Sequence, residues 1–120
     1  MKKKIVFITL LLVCTILTLT VNAQEIHEAV KAGNLEKVKT LIKDNPVDVN
    51  LKDENSLTPL HWAALRGQTQ IARYLIDNKA DVNAMDKNNE TPLHYAAICV
   101  KYDIVGLLLD NKADVKIVSN

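Results

Sequence analysis

Hydrophobic positions fall into two kinds of pattern along the chain. Ile5 to Val21 is one uninterrupted run without charge, Gly or Pro. Beyond it the apolar residues are spaced. Ile71, Ala72, Leu75 and Ile76 recur at i, i+1, i+4 and i+5, the stripe of an amphipathic helix. Leu60, Ala63 and Ala64 form the apolar face of a shorter helix before it, and the small alanines let neighbouring helices approach closely. Thr58 is a good N-cap for that helix. Pro59 suits its first turn, where the missing N–H costs nothing. Gly67 ends it by accepting a left-handed conformation. Asp81-Val82-Asn83 and Asp86-Lys87-Asn88-Asn89 then read as an extended segment and a turn.

The same order of parts returns. Thr58-Pro59-Leu60-His61-Trp62-Ala63-Ala64 recurs as Thr91-Pro92-Leu93-His94-Tyr95-Ala96-Ala97, an offset of 33. Asp77-Asn78-Lys79-Ala80-Asp81-Val82 recurs as Asp110-Asn111-Lys112-Ala113-Asp114-Val115 at the same offset. A fainter copy precedes them. His27, Ala29 and Gly33 match His61, Ala63 and Gly67 at an offset of 34, while Asp48-Val49-Asn50 matches Asp81-Val82-Asn83 at an offset of 33. The mismatch places one extra residue near Asn45-Pro46-Val47, which a loop absorbs cheaply.

These residues resemble the ankyrin repeat, through the period, the two T-P-L-H-x-A-A signatures and the two N-K-A-D-V endings. The resemblance implies an all-α fold, an α-solenoid of three helix pairs with hairpin-like turns to one side. It divides the chain into a signal segment, residues 1–23, and a repeat domain, residues 24–120, with repeats at about 24–52, 53–85 and 86–118. Ser56 and Asn89 stand at a turn position where the family favours Gly. Lys79 and Lys112 replace the Gly of the usual G-A-D. Val100 occupies the place of Gly33 and Gly67, which puts the turn between the third pair of helices in doubt.

A terminal repeat should be polar on its outer face. The first copy obeys: Lys37 stands where the later copies have Ile71 and Ile104, among Glu28, Lys31, Glu36 and Lys39. The third does not. Ile104-Val105-Gly106-Leu107-Leu108-Leu109 and the tail Val115-Lys116-Ile117-Val118 are apolar. Three readings stay open: a fragment of a longer array, a face for a second copy or a partner, or a tail that folds back over it.

The apolar run has a further meaning. Lys2, Lys3 and Lys4 precede it and Val21-Asn22-Ala23 follows it, the order of a secretory signal cleaved before Gln24. An uncleaved membrane anchor is the alternative, since the run from Ile5 to Val21 lies at the short edge of a span. Val13 before Cys14 argues against lipidation. Export would place the mature chain in the periplasm or outside the cell, free of the membrane. Removing residues 1–23 takes three lysines away, so the net charge of +1 becomes about −2, with basic residues scattered. That is not the footprint of a nucleic-acid binder. Cys99 alone remains, so no internal disulfide supports the fold.

Candidate chemistry is thin. His27, His61 and His94 occur one per layer and do not suit a metal site, which needs ligands converging at about 2 Å; the resemblance implies local hydrogen bonding with the T-P-L-H turn. Asp48, Asn50, Asp53 and Asn55, with Asp81, Asn83, Asp86 and Asn88, faintly suggest a calcium loop but lack its Gly. Cys99 and His94 are five apart on one helix and do not face each other well. Asn89-Glu90-Thr91 has the form of a glycosylation sequon, with Thr91 already an N-cap. No catalytic residue, cofactor or metal is assigned.

The function implied by the resemblance is binding of a partner protein through turn tips and the inner helix face. Matching positions to the family's variable ones gives Glu54, Asn55, Leu57, Leu65 and Arg66 in the second repeat and Lys87, Asn88, Glu90, Ile98 and Cys99 in the third, with Lys31 and Met85 at the edges. Leu57, Leu65, Ile98 and Met85 would supply apolar contact; Arg66, Lys87, Glu54 and Glu90 would orient it. Trp62 and Tyr95 read first as interlayer packing and second as binding anchors. The role in the cell is open among a periplasmic binder that protects an enzyme, a secreted effector engaging a host protein, and an immunity-type inhibitor of a toxin.

Overall fold

The computed structural model describes residues 9–10, 12–13, 24–44 and 47–120. Lys2–Lys4, Cys14 and Val21-Asn22-Ala23 lie outside the described residues, as do Asn45 and Pro46 of the inserted position. Leu10, Leu12 and Val13 are helical and exposed. Among the described residues no helix is long and apolar enough to cross a membrane.

Among the described residues from 24 onward, six helices make three pairs: α1 (24–31) with α2 (Leu35–Asp44), α3 (Pro59–Arg66) with α4 (Thr69–Asp77), and α5 (Pro92–Ile98) with α6 (Tyr102–Asp110). First helices stack on first helices and second on second, α3 against α5 and α2 against α4 against α6. The fold is all-α, a solenoid of three ankyrin repeats, and the connecting turns contain no strand among the described residues.

Local sequence sets the boundaries. Thr58 holds an extended N-cap conformation (φ −83°, ψ 166°) and Pro59 opens α3. Gly67 closes it at φ 69°, a conformation that strains residues with a Cβ. The same turn closes all three first helices. Gly33 N and Asn34 N donate to Val30 and Ala29; Gly67 N and Gln68 N donate to Ala64 and Ala63; Val100 N and Lys101 N donate to Ala97 and Ala96. The doubt raised by Val100 is thereby resolved: the third turn forms, with Val100 itself at φ 55°. Ser56, Lys79, Asn89 and Lys112 also take positive φ, between 59° and 74°.

The core runs along the stack between the two helix layers. Leu60, Ala63, Ala64, Ile71, Ala72 and Leu75 are buried as their spacing requires, with Val30, Val38 and Ile26 before them and Ala96, Ile104 and Leu108 after them. Burying each Ile or Leu stabilises by about 1.5–3 kcal/mol. Lys37 is exposed and lies 3.9 Å from Glu25, so the first repeat has the polar outer face expected of a cap. At the other end residues 113–120 lie against the third repeat. Asp114 N donates to Asn83 Oδ1 at 2.7 Å and Asn120 N to the Asn88 carbonyl at 2.9 Å. The tail runs on along the turn tips, as the Asp81–Asn50 link does one repeat earlier, and Val115 and Val118 stay exposed, as do Leu109, Val100 and Tyr102.

Candidate functional site

The turn tips are built on aspartates. Asp53 Oδ1 accepts from the backbone N–H groups of Asn55 and Leu57, at 2.9 and 3.0 Å. Asp86 Oδ1 accepts likewise from Asn88 and Glu90, at 2.8 and 2.9 Å. The second oxygen of each reaches nine residues along the chain. The Trp62 indole N–H donates to Asp53 Oδ2 at 2.8 Å, and the Tyr95 hydroxyl donates to Asp86 Oδ2 at 2.7 Å. Each tip is therefore fastened to the first helix of its own repeat. Burial works against ionisation of Asp53 and Asp86, yet these bonds together hold both carboxyls below their ordinary range. Burial, then the Asp86 carboxylate, pushes the Tyr95 hydroxyl well above its usual pKa.

Neighbouring tips are joined across repeats. Lys52 Nζ donates to the Met85 carbonyl at 2.7 Å, and Lys87 Nζ reaches Asn55 Oδ1 at 3.5 Å. Asn50 receives the Asp81 N–H at 2.7 Å and donates to the Lys79 carbonyl at 3.1 Å.

Histidines latch each layer to the next. Thr58 N donates to His61 Nδ1 at 3.1 Å, so the ring proton sits on Nε2, which donates to the Glu90 carbonyl at 2.9 Å. His27 Nε2 lies 3.0 and 3.1 Å from the carbonyls of Leu51 and Leu57. Thr91 N likewise donates to His94 Nδ1 at 3.0 Å, but no carbonyl meets His94 Nε2. Burial pushes the His61 imidazolium down, outweighing the pull of the Glu90 carbonyl in the other direction. His27 and His61 thus join layers while His94 caps its own helix, and none of the described residues group into a metal-binding cluster. Cys99 is a half-buried free thiol just past the end of α5. The Nδ1 lone pair of His94 accepts from Thr91 and is not turned to that thiol.

The residues chosen from the sequence separate into two groups. Glu54, Asn55, Lys87 and Asn88 are exposed on adjacent tips, with Glu90 half-buried and Met85 42% exposed beside them. Leu65, Arg66, Ile98 and Cys99 lie at the far ends of α3 and α5, about 12 Å away at 1.5 Å per helical residue. Leu57 is a correction. It is 6% exposed, an apolar side chain turned inward at the base of the tip; it supports the turn and offers no contact to a partner.

Between the first two repeats lies a groove of about 540 Å³ that the positional reading missed. Trp62 forms its floor, and Glu28, Lys31, Lys52, Asp53 and Glu54 line its sides. Lys31 Nζ sits 4.4 Å from the Trp62 ring centroid. At the next boundary the corresponding Tyr95 ring is met by the edge of His61, at 5.5 Å and 89°. Both readings of the aromatics therefore have a place: Tyr95 packs between layers, and Trp62 is half-buried beneath an open groove. A signal for this was present, an aspartate nine residues before the aromatic in both repeats.

The comparisons with known proteins agree with this architecture. The family described as ankyrin repeats (3 copies) matches residues 26–119. The 26S proteasome non-ATPase regulatory subunit 10 of Dictyostelium discoideum is 48% identical over 52 residues, 43% of this chain and 22% of that protein. Protein phosphatase 1 regulatory subunit 27 of Mus musculus is 53% identical over 51 residues, 42% of this chain and 32% of that protein. Palmitoyltransferase akr1 of Schizosaccharomyces pombe is 46% identical over 48 residues, 40% of this chain and 8% of that protein. The chain spans a third or less of the length of these relatives. With the repeat matched through all three helix pairs, the chain belongs to the ankyrin-repeat family.

Proposed function

We propose that this ankyrin-repeat interaction module is exported and binds one partner protein through its turn tips and inner groove, as a periplasmic accessory that protects or restrains an enzyme. The observation that carries the binding reading is the fastening of each tip to its own helix through Asp53–Trp62 and Asp86–Tyr95. Tips held in one geometry lose little freedom when a partner docks, which is where affinity is gained. Two of the similar proteins are named as regulatory subunits, in keeping with binding and not catalysis as the work of this fold. Export rests on Lys2–Lys4 ahead of the apolar run. A secreted effector engaging a host protein, or an immunity-type inhibitor of a toxin, would use the same surface.

The test is affinity capture from periplasm and from culture medium, with the wild type beside a variant carrying Glu54→Ala, Asn55→Ala, Lys87→Ala and Asn88→Ala. A partner should be captured by the wild type and lost from the variant, at equal thermal stability. Equal capture by both would refute binding through the tips. N-terminal sequencing of the exported chain should begin at Gln24; an intact Met1 terminus in membranes would refute cleavage.

A second reading concerns the far end. Leu109, Val115 and Val118 are each exposed in the third repeat, and His94 Nε2 lacks the carbonyl that its counterparts have. An apolar face of this kind favours association, and a second copy of the chain is the proposed occupant. Sedimentation should show concentration-dependent dimers that Leu109→Lys with Val118→Lys abolishes; a strict monomer would dismiss it.

A further inference from the structure

The groove over Trp62 has a property that the general binding reading does not contain. Its floor is an indole face that already carries an ammonium, Lys31 Nζ at 4.4 Å. Cations sit on that face because the ring quadrupole is negative there. The indole N–H donates to Asp53 Oδ2 at 2.8 Å, and donation to a carboxylate moves electron density into the ring and strengthens its hold on a cation. Asp53 is ionised at neutral pH, since its carboxyl is held below the ordinary range.

Lys31 is a weakly held occupant. Its other contact is Glu28 Oε1 at 2.9 Å, on a glutamate whose side chain is 62% exposed. Exposed pairs of this kind contribute little, and the Lys31 side chain, 27% exposed, is otherwise held by its packing on the ring. Without it, the carboxylates of Glu28, Asp53 and Glu54 face the single ammonium of Lys52, which is committed to the Met85 carbonyl. The vacated groove is an aromatic floor with acidic sides.

We propose that the Trp62 face is a cation subsite, and that an arginine on an extended segment of the partner protein displaces Lys31 from the ring and lies between Glu28 and Glu54. Arginine fits better than lysine because its planar guanidinium stacks on an indole while its N–H groups reach carboxylates on either side. This rests on the binding reading above but is tested without the natural partner.

Trp62 is the only tryptophan, so intrinsic fluorescence reports this ring alone. The full chain is titrated at fixed ionic strength with a short alanine peptide carrying two arginines, and with matched peptides carrying two glutamates or two leucines. The arginine peptide should give a saturable change and the other two none. Lys31→Met, which removes the resident cation, should tighten the arginine peptide by about threefold or more. Glu28→Gln with Glu54→Gln should weaken it by a similar factor. No saturable change, an equal response to the glutamate or leucine peptide, or an unchanged affinity in Lys31→Met would overturn the proposal. Tip-dependent capture would survive each of those results, so the two readings fail separately.

Discussion

His61 and His94 occupy one repeat position with one intramolecular role, and they differ in a single bond across the layers. Both accept the N–H of their N-cap threonine on Nδ1, at 3.1 and 3.0 Å. His61 alone donates from Nε2 to a carbonyl, that of Glu90, and alone meets an aromatic ring, that of Tyr95. His61 is fully buried while His94 is half-buried. Replacing His94 with Ala removes the capping contact, a loss of about 1–2 kcal/mol. Replacing His61 with Ala removes that contact and also one of the two hydrogen bonds that the Glu90 carbonyl accepts, the other coming from Asp86 N, worth about 0.5–1.5 kcal/mol. It further removes the edge-on ring pair, about 0.5–1.5 kcal/mol. The expected costs are therefore about 1–2 kcal/mol at His94 and about 2–5 kcal/mol at His61. Urea unfolding followed by circular dichroism measures both. Hydrogen exchange should show the His61 change spreading to α5 and the His94 change confined to the third repeat. Equal costs at the two positions would mean that the Glu90 bond contributes nothing to the joining of layers, and the latch would have to be abandoned.

Other consequences are as direct. Burial depresses the folded pKa of His61 below its ordinary 6.5, so the unfolded chain takes up the proton first; stability is complete above pH 6.5 and falls as pH drops below it. The urea midpoint should decline as pH falls below 6.5, and His61→Gln should flatten that slope; an unchanged slope would refute it. Asp53 and Asp86 are held below their ordinary 3.8, so a second loss should follow as pH falls through their lowered folded values. Val100→Gly should raise stability by about 1 kcal/mol, because a β-branched residue at φ 55° is strained where Gly33 and Gly67 sit at 69°; a lower melting temperature would refute the strain. Leu57→Ala should cost about 2–4 kcal/mol while leaving the exposed tip contacts of any captured partner in place.

Much of the fold was legible because each local signal agreed with the period. Thr58-Pro59 and Gly67 mark the ends of one helix, and the opening mark recurs one period later as Thr91-Pro92. Val100 broke the pattern by identity but not by backbone, since the bonds from Val100 N and Lys101 N hold the turn in the left-handed form regardless of the side chain. Leu57 was misread for the opposite reason. Leu57 and Glu90 share a backbone position, and both donate their N–H to an aspartate four residues back. One is an apolar residue that turns inward and the other an acid that stays half-exposed. Position within the repeat cannot separate them; polarity at that position does. The groove was illegible because its parts come from two repeats. Lys31 meets Trp62 only after the layers stack.

The two layer boundaries treat the same aromatic position differently, and the difference follows from the capping repeat. At the second boundary Tyr95 receives the edge of His61, a ring that is fully buried and already latched to Glu90. At the first boundary Trp62 receives Lys31, a long side chain from a repeat whose outer residues are charged. A polar cap needs such residues to stay soluble on its free face, and one of them spills over onto the indole. A charged side chain of the first repeat thereby stands over an aromatic face of the second. The apolar stacking that binds the second and third repeats leaves no such opening. Among the described residues, the aromatic ring with a long charged side chain over it is the one at the first boundary.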